Sequence, residues 1–126
     1  MTQDLTSHLL RQRAFSRATF GPGTRKAGII DHIRYELEEL EQAVTLDYTI
    51  EEWTDLVILS LDGLWRACEL RSLPESHLLT PEMTRNTIKL AVRSIRDKQS
   101  INEHRMWPDW RAADRTKAIK HEGDNK

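Results

Sequence analysis

Apolar residues recur along this chain at steps of three and four positions, the period that places side chains on one face of an α-helix. Four segments show the pattern, and the first, about residues 6–19, ends at Gly21-Pro22-Gly23. No segment shows the alternating apolar and polar positions of a half-buried β-strand. The sequence therefore predicts an all-α fold, a bundle of four or five helices.

The second and third helices have candidate capping residues. Thr24 is predicted to cap the second helix, because a threonine hydroxyl can accept a hydrogen bond from a free backbone N–H. Thr49, with Glu52 three residues later, has the pattern of a capping box at the start of the third helix. The second helix carries an apolar seam suited to packing, made of Ile30, Ile33, Leu37, Leu40 and Val44.

The fourth helix is predicted to begin at Thr80-Pro81, a cap followed by a proline at the first helical position. Residues 70–79 are the predicted connection before it, and the helix should end before Pro108 because proline cannot continue it. One domain over residues 1–121 is predicted, followed by a polar tail over residues 122–126.

Composition narrows the class of partner. The 126 residues include 19 Lys and Arg against 20 Asp and Glu, a net charge of -1, so no basic field favours a nucleic-acid polymer or a membrane surface. Cys68 is the single cysteine, which excludes an intramolecular disulfide and fits a reducing compartment; a packing role is favoured over a nucleophile. No stretch approaches the roughly 20 apolar residues of a membrane span. A cytoplasmic protein is predicted.

Two acidic pairs carry the candidate chemistry: Glu36-x-x-Glu39 and Glu52-x-x-Asp55. Residues three apart lie on one face of a helix, so each pair can present its carboxylates together. Two packed helices would bring all four carboxylates to one place, where unneutralised charge resists burial. Hard oxygen ligands without clustered cysteine or histidine favour Mg²⁺ or Mn²⁺.

Other polar residues near these pairs have two interpretations each. Asp62 is either a further ligand or the helical partner of Arg66 four residues later. His32 precedes Glu36 by one turn, and a structural hydrogen bond is favoured over metal ligation. A solvated surface is the expected role of three neighbouring acids, Glu38, Glu41 and Glu51.

The end of the fourth helix offers candidate phosphate ligands. Lys98, Asn102 and Arg105 fall on one polar face, where a cation and an amide can bind phosphate oxygens, although a solvated face is the alternative. Trp107 and Trp110 follow in an aromatic turn beside arginines. They are interpreted either as a surface that stacks on a nucleobase or as a structural clasp on the bundle.

The acidic signature resembles that of the MazG-type nucleoside triphosphate pyrophosphohydrolases, an all-α superfamily, in which E-x-x-E precedes E-x-x-D. Further segments across about residues 11–121 resemble the phage dATP/dGTP diphosphohydrolase subgroup called MazZ, although residues 70–96 align poorly. Those segments are Arg11-Gln12 with Phe15-Ser16, Thr19-Phe20-Gly21-Pro22-Gly23-Thr24, Asp31-His32-Ile33-Arg34, Asp62-Gly63-x-Trp65-Arg66 and Asn102-x-x-Arg105-x-Trp107-Pro108-Asp109-Trp110-Arg111.

The resemblance implies hydrolysis of a purine deoxynucleoside triphosphate between its α- and β-phosphates, giving the monophosphate and pyrophosphate. It also implies two or three Mg²⁺ or Mn²⁺ ions on the four acidic residues, with Glu39 as the candidate general base. Lys98 would stabilise the leaving pyrophosphate, and Asn102 would bind phosphate. The first helix and the turn at Thr19 and Phe20 are candidate walls of the base pocket.

The resemblance extends to biological context. Phages that replace adenine with 2-aminoadenine use this subgroup to make dGMP from dGTP, so a phage protein acting in the host cytoplasm is expected. MazG-like domains generally form homodimers or homotetramers, and a domain this small gains core by pairing.

Four other functions fit the same residues. A MazG-like enzyme can instead remove damaged nucleotides or hydrolyse pyrimidine triphosphates, and some relatives act on nucleotide alarmones. A non-enzymatic helical module, whose acidic faces bind a basic partner, is the alternative of a different class.

Overall fold

The computed structural model describes residues 4–72 and 79–123. These residues contain no strand, so the all-α prediction is confirmed for the described part of the chain. The connection predicted over residues 70–79 begins later in the structure, because the third helix continues to Ser72. Residues 73–78 of that connection lie outside the described residues. The helices are α1 (Leu5–Phe20), α2 (Lys26–Gln42), α3 (Leu46–Ser72) and α4 (Pro81–His104), with a 3-10 turn at Trp110–Ala112.

Side-chain caps fix the starts of α1 and α4. The Asp4 carboxylate accepts a hydrogen bond of 2.8 Å from the backbone N–H of Ser7. The Thr80 hydroxyl accepts one of 3.1 Å from the N–H of Met83, which confirms the predicted start of α4. This helix ends at His104, before Pro108 as predicted.

The predicted cap of α2 is wrong. The helix begins at Lys26, and the residue before it is Arg25 rather than Thr24. Arg25 has a left-handed backbone conformation with φ 46°, and no side chain caps the helix. The glycine-rich turn is therefore one residue longer than the capping pattern predicts, and α2 begins one residue later.

The predicted start of α3 is also wrong. This helix begins at Leu46, because the Thr45 hydroxyl accepts a hydrogen bond of 3.2 Å from the N–H of Tyr48. Thr49 lies inside the helix, and its hydroxyl donates to the Thr45 carbonyl at 2.9 Å. An earlier threonine with the same capping geometry adds a turn to α3 and leaves a connection of only three residues, 43–45.

The hydrophobic core lies within one compact unit, Met1–Val92, and joins α1, α3 and the first half of α4. Cys68 is part of this core, and burial raises the pKa of its thiol, as expected for a packing residue. The buried apolar residues are Leu9, Trp65, Cys68, Ile88, Ala91 and Val92. None of the helices in the described residues combines the length and apolar content needed to cross a membrane.

A fully buried arginine holds the turn between α1 and α2. The Arg66 guanidinium pairs with Asp62 at 3.0 Å and donates to the Ser16 hydroxyl at 2.8 Å. It also donates to the carbonyls of Gly21 and Gly23, at 2.8 and 2.9 Å. Both glycines have positive φ, a conformation that other residues adopt only with strain. The interpretation of Asp62 as the partner of Arg66 is therefore the one that the structure supports.

The predicted apolar seam of α2 is only partly buried within a single chain, since Ile33 and Leu40 are half-buried and the other three residues are exposed. The fully buried residues of this helix are Ile29 and Glu36, so the line facing α3 is shifted from the predicted one. Ile30 is 38% exposed, Leu37 42% and Val44 94%. The surface continues onto α3, where the exposed apolar residues include Leu46, Ile50, Trp53 and Val57.

The second compact unit is Arg93–Lys126. The Trp107 indole donates a hydrogen bond of 2.6 Å to the Asn102 carbonyl and lies edge-on to the His121 ring, 5.5 Å between centroids. The backbone N–H of Glu122 donates to the Met106 carbonyl at 2.8 Å. These contacts hold the segment after α4 against the end of that helix.

Candidate metal and nucleotide site

Three of the four signature carboxylates converge between α2 and α3. Glu36, Glu52 and Asp55 each offer an oxygen atom within 4.8 Å of the others. The two helices are antiparallel, since Ile29 lies beside Gly63 while Glu36, further along α2, lies beside the earlier Asp55 on α3. The three-residue connection produces this arrangement and places both acidic pairs at the same level.

The electrostatics of these carboxylates are unfavourable without a cation. Glu36 is buried, and within the described residues the His32 imidazole, 3.3 Å from its Oε1, is the one basic group paired with it. The pKa of Glu52 is raised to about 7, first by a hydrogen bond to Glu36, then by burial and by the charges of the neighbouring acids. Burial and the charge of Glu36 also raise the pKa of Asp55.

One oxygen atom of Glu52 indicates the kind of ligand that this cluster would bind. Oε2 of Glu52 is buried and has no hydrogen-bond partner among the described residues. A buried carboxylate oxygen that lacks a partner is costly unless a cation or a donor satisfies it. The donor set, carboxylate oxygens alone, fits a hard divalent ion such as Mg²⁺ or Mn²⁺.

Glu39 is near this cluster but outside the group of three. Its charge, followed by a hydrogen bond, raises the pKa of Tyr35, and it contributes to the raised pKa of Glu52. Glu39 is therefore positioned to influence the cluster electrostatically. Its role as a metal ligand or general base stays a prediction.

An apolar cavity of about 240 Å³ opens beside the carboxylates, and Glu36 and Asp55 form part of its wall. At the α1 side, Phe15 and Phe20 meet edge to face, 6.4 Å between centroids. Both phenylalanines line the cavity, whereas Thr19, the other predicted wall of the turn, is not among its lining residues. The other lining residues are Gln12, Ser16, Arg25, Ile29, His32, Ile58, Leu59 and Asp62.

The sequence predicted the first helix and Phe20 as walls of this cavity but not its other lining residues. Gln12 and Ser16 have no distinctive spacing, yet both are buried, and the Gln12 amide donates to the Ile58 carbonyl at 2.8 Å. Arg25 follows a glycine-rich turn whose path no periodic pattern predicts. The available signal was the similarity to the MazZ subgroup, whose matching segments include Arg11-Gln12, Phe15-Ser16, Asp31-His32 and Asp62.

The other candidate ligands belong to the second unit. Lys98 is exposed on α4, and the Asn102 side-chain oxygen accepts a hydrogen bond of 3.1 Å from Arg105. Trp107 donates a hydrogen bond to the Asn102 carbonyl within the same unit, and both of its interpretations stay predictions. Phosphate binding by Lys98, Asn102 and Arg105 stays a prediction.

The raised pKa of Glu52 predicts how stability depends on pH in the metal-free protein. The folded chain keeps a proton on Glu52 between pH 4.5, its ordinary pKa, and about 7, whereas the unfolded chain releases it. The free energy of unfolding should therefore fall as pH rises through this window. Thermal melts in chelator should show this decline, and Glu52→Gln should reduce it while Glu38→Gln retains it. A wild-type protein with no decline across the window would contradict the coupling.

Comparison with known proteins defines the family to which this chain belongs. The dATP/dGTP pyrophosphohydrolase family matches residues 10–73 and 75–125. The chain belongs to this family, within the MazG-like nucleoside triphosphate pyrophosphohydrolases. Searches of curated proteins and of solved structures returned no match.

Proposed function

We propose that this protein hydrolyses dGTP and dATP between the α- and β-phosphates, in a metal-dependent reaction that releases the monophosphate and pyrophosphate. One observation carries the proposal: three carboxylates converge, with a buried oxygen lacking a partner, at the wall of an apolar cavity. The cluster suits a divalent ion and the cavity suits a flat, mostly apolar group such as a base. The family membership supplies the reaction class.

Glu36, Glu52 and Asp55 would hold the metal, and Glu39 is proposed as the fourth ligand. Two or three Mg²⁺ or Mn²⁺ ions are expected, as in the superfamily. When bound, such ions neutralise phosphate charge and make a water molecule easier to ionise. His32 lies 3.3 Å from Glu36, close enough to orient that carboxylate.

The base is proposed to occupy the apolar cavity. Phe15 and Phe20 provide aromatic surface, while Ile58 and Leu59 provide apolar surface on α3. Gln12 is held by its hydrogen bond to the Ile58 carbonyl, so this wall is ordered before a ligand arrives. Because the cavity adjoins the carboxylates, a base bound there would bring the α-phosphate of its nucleotide near the proposed metal ligands.

Proton transfer and charge stabilisation are assigned to further residues. Glu39 is the candidate base that takes a proton from the attacking water. Lys98 is proposed to stabilise negative charge on the departing pyrophosphate, with Asn102, Arg105 and Trp107 as further substrate ligands. The assignments of Lys98 and Asn102 follow the Lys-x-x-x-Asn pattern of the superfamily, which this chain carries on α4.

The proposed biological role is production of dGMP for a phage genome that contains 2-aminoadenine in place of adenine. The resemblance of this chain to the MazZ subgroup supports it. The enzyme would then work in the cytoplasm of the infected host, on the free nucleotide pool.

Self-association is proposed through the exposed apolar surface of α2, α3 and the connection between them, which includes Val44, Leu46, Ile50 and Trp53. Side chains of this kind are stabilised when a second copy covers them. We expect light scattering to give two or four times the chain mass of 14.7 kDa. Ile50→Glu should shift the mass toward the monomer, whereas Glu51→Gln on the same turn should not. A monomeric wild type at working concentration would contradict the proposal.

The function is tested by chromatography of products after incubation with each of the four dNTPs and four NTPs, with Mg²⁺, Mn²⁺ or chelator. Metal-dependent release of dGMP and dAMP with pyrophosphate is the expected result. Preference for a pyrimidine, a damaged nucleotide or an alarmone would support the corresponding alternative enzyme. A protein inert toward every nucleotide would support a binding module.

A further inference from the structure

Arg25 has an unusual conformation at the edge of the apolar cavity. Its backbone is left-handed, with φ 46°, which costs free energy in a residue other than glycine and is often found at functional sites. Its guanidinium lies over the Phe20 ring, 5.1 Å from the centroid. Its NH2 atom lies 2.9 Å from the position that a Cβ on Gly28 would take, so only glycine leaves it this space.

The contact with Phe20 holds the Arg25 guanidinium at the edge of the cavity. Among residues 4–72 and 79–123, it makes no hydrogen bond or ion pair, although the side chain is partly buried. Arginine presents its N–H donors in a planar fork that suits two acceptors side by side. In a cavity otherwise lined mainly by apolar groups, such a donor selects a ligand with a matching pair of acceptors.

The distance to the carboxylates suits a nucleotide. The guanidinium lies at the level of Gly28, and Glu36 follows eight residues later, which is about 12 Å along a helix. This is comparable with the length of a purine nucleotide from its α-phosphate to the far edge of its base. A nucleotide whose phosphate meets the acidic cluster would therefore direct its base toward Arg25.

We infer that Arg25 determines base specificity by donating two hydrogen bonds to the O6 and N7 acceptors of guanine. The inference rests on the proposed function and adds the basis of its substrate choice. Adenine has N7 but carries an amino group in place of O6, so it accepts one of the two bonds. The enzyme should accept both purines and prefer dGTP. Pyrimidines have no N7 and should be poor substrates.

The test is the ratio of kcat/KM for dGTP to kcat/KM for dATP. The wild type should favour dGTP, and Arg25→Gln should lower the ratio by about tenfold or more, because a glutamine amide pairs with the N6 and N7 groups of adenine. Lys26→Gln is the matched control, since it removes the same charge from the adjacent exposed residue outside the cavity. That variant should keep the wild-type ratio.

A second variant keeps the arginine and displaces it. Gly28→Ala places a methyl group against the flexible end of Arg25, so the fold should tolerate it while the ratio falls. If Arg25→Gln does not fold, Gly28→Ala decides the question in the same way. An unchanged ratio, a wild type indifferent to the purine, or an equal loss on all four dNTPs would overturn the inference. A wild type that hydrolyses no dNTP would instead overturn the proposed function.

Discussion

Glu36→Gln is expected to lower kcat/KM for dGTP by roughly two to four orders of magnitude, because the metal supplies several kcal/mol of charge stabilisation. Glu36 is the buried member of the cluster and contributes to the raised pKa values of both Glu52 and Asp55. The amide keeps the shape of the side chain and removes its charge. Steady-state kinetics at saturating Mg²⁺ measures the effect.

A measurement of thermal stability distinguishes a direct loss of activity from a loss caused by unfolding. Removing the charge of Glu36 relieves repulsion in the metal-free cluster, so the variant should melt at the same temperature as the wild type in chelator, or higher. Glu38→Gln is the control, since it makes the same change on an exposed position of the same helix. A Glu36→Gln enzyme with wild-type kcat/KM would refute the assignment of this cluster.

Arg66→Met is expected to lower the free energy of unfolding by about 3–5 kcal/mol, since it leaves the carboxylate of Asp62 buried without its ion-pair partner. The side chain of Arg66 is fully buried, and its remaining N–H groups hold Ser16 and the turn carbonyls of Gly21 and Gly23. Urea unfolding followed by tryptophan fluorescence measures the loss. The substitution should also loosen the turn that leads into α2.

A matched substitution and a double variant test whether the unpaired charge of Asp62 causes the loss of stability. Arg34→Met removes an exposed arginine from α2 and should change stability by no more than about 0.5 kcal/mol. Adding Asp62→Leu to Arg66→Met should recover part of the loss, because the buried charge is removed as well. A loss below about 1 kcal/mol for Arg66→Met would show that the network contributes little.

The sequence was sufficient for those features that depend on local chemistry. Helical period predicted the fold class, and Thr80-Pro81 marked the start of α4 because a cap and an N-terminal proline act within one turn. The acidic signature brought Glu36, Glu52 and Asp55 together as expected, since spacing on two antiparallel helices fixes their level.

The sequence did not predict those features for which two neighbouring residues or patterns are equally suitable. Thr45 and Thr49 both have capping chemistry, and only the folded connection selects the first. The apolar positions of α2 allow two adjacent lines, and packing buries Ile29 rather than Ile30. The placement of Arg25 depends on the path of a glycine-rich turn, which is set by distant contacts of Arg66.

The most direct test of the central claim is hydrolysis of dGTP in water labelled with oxygen-18, with mass spectrometry of both products. Attack at the α-phosphorus predicts one labelled oxygen in dGMP and none in the released pyrophosphate. The reaction should require Mg²⁺ or Mn²⁺ and be abolished by chelator. Label in the pyrophosphate, or release of orthophosphate, would contradict the proposed cleavage between the α- and β-phosphates.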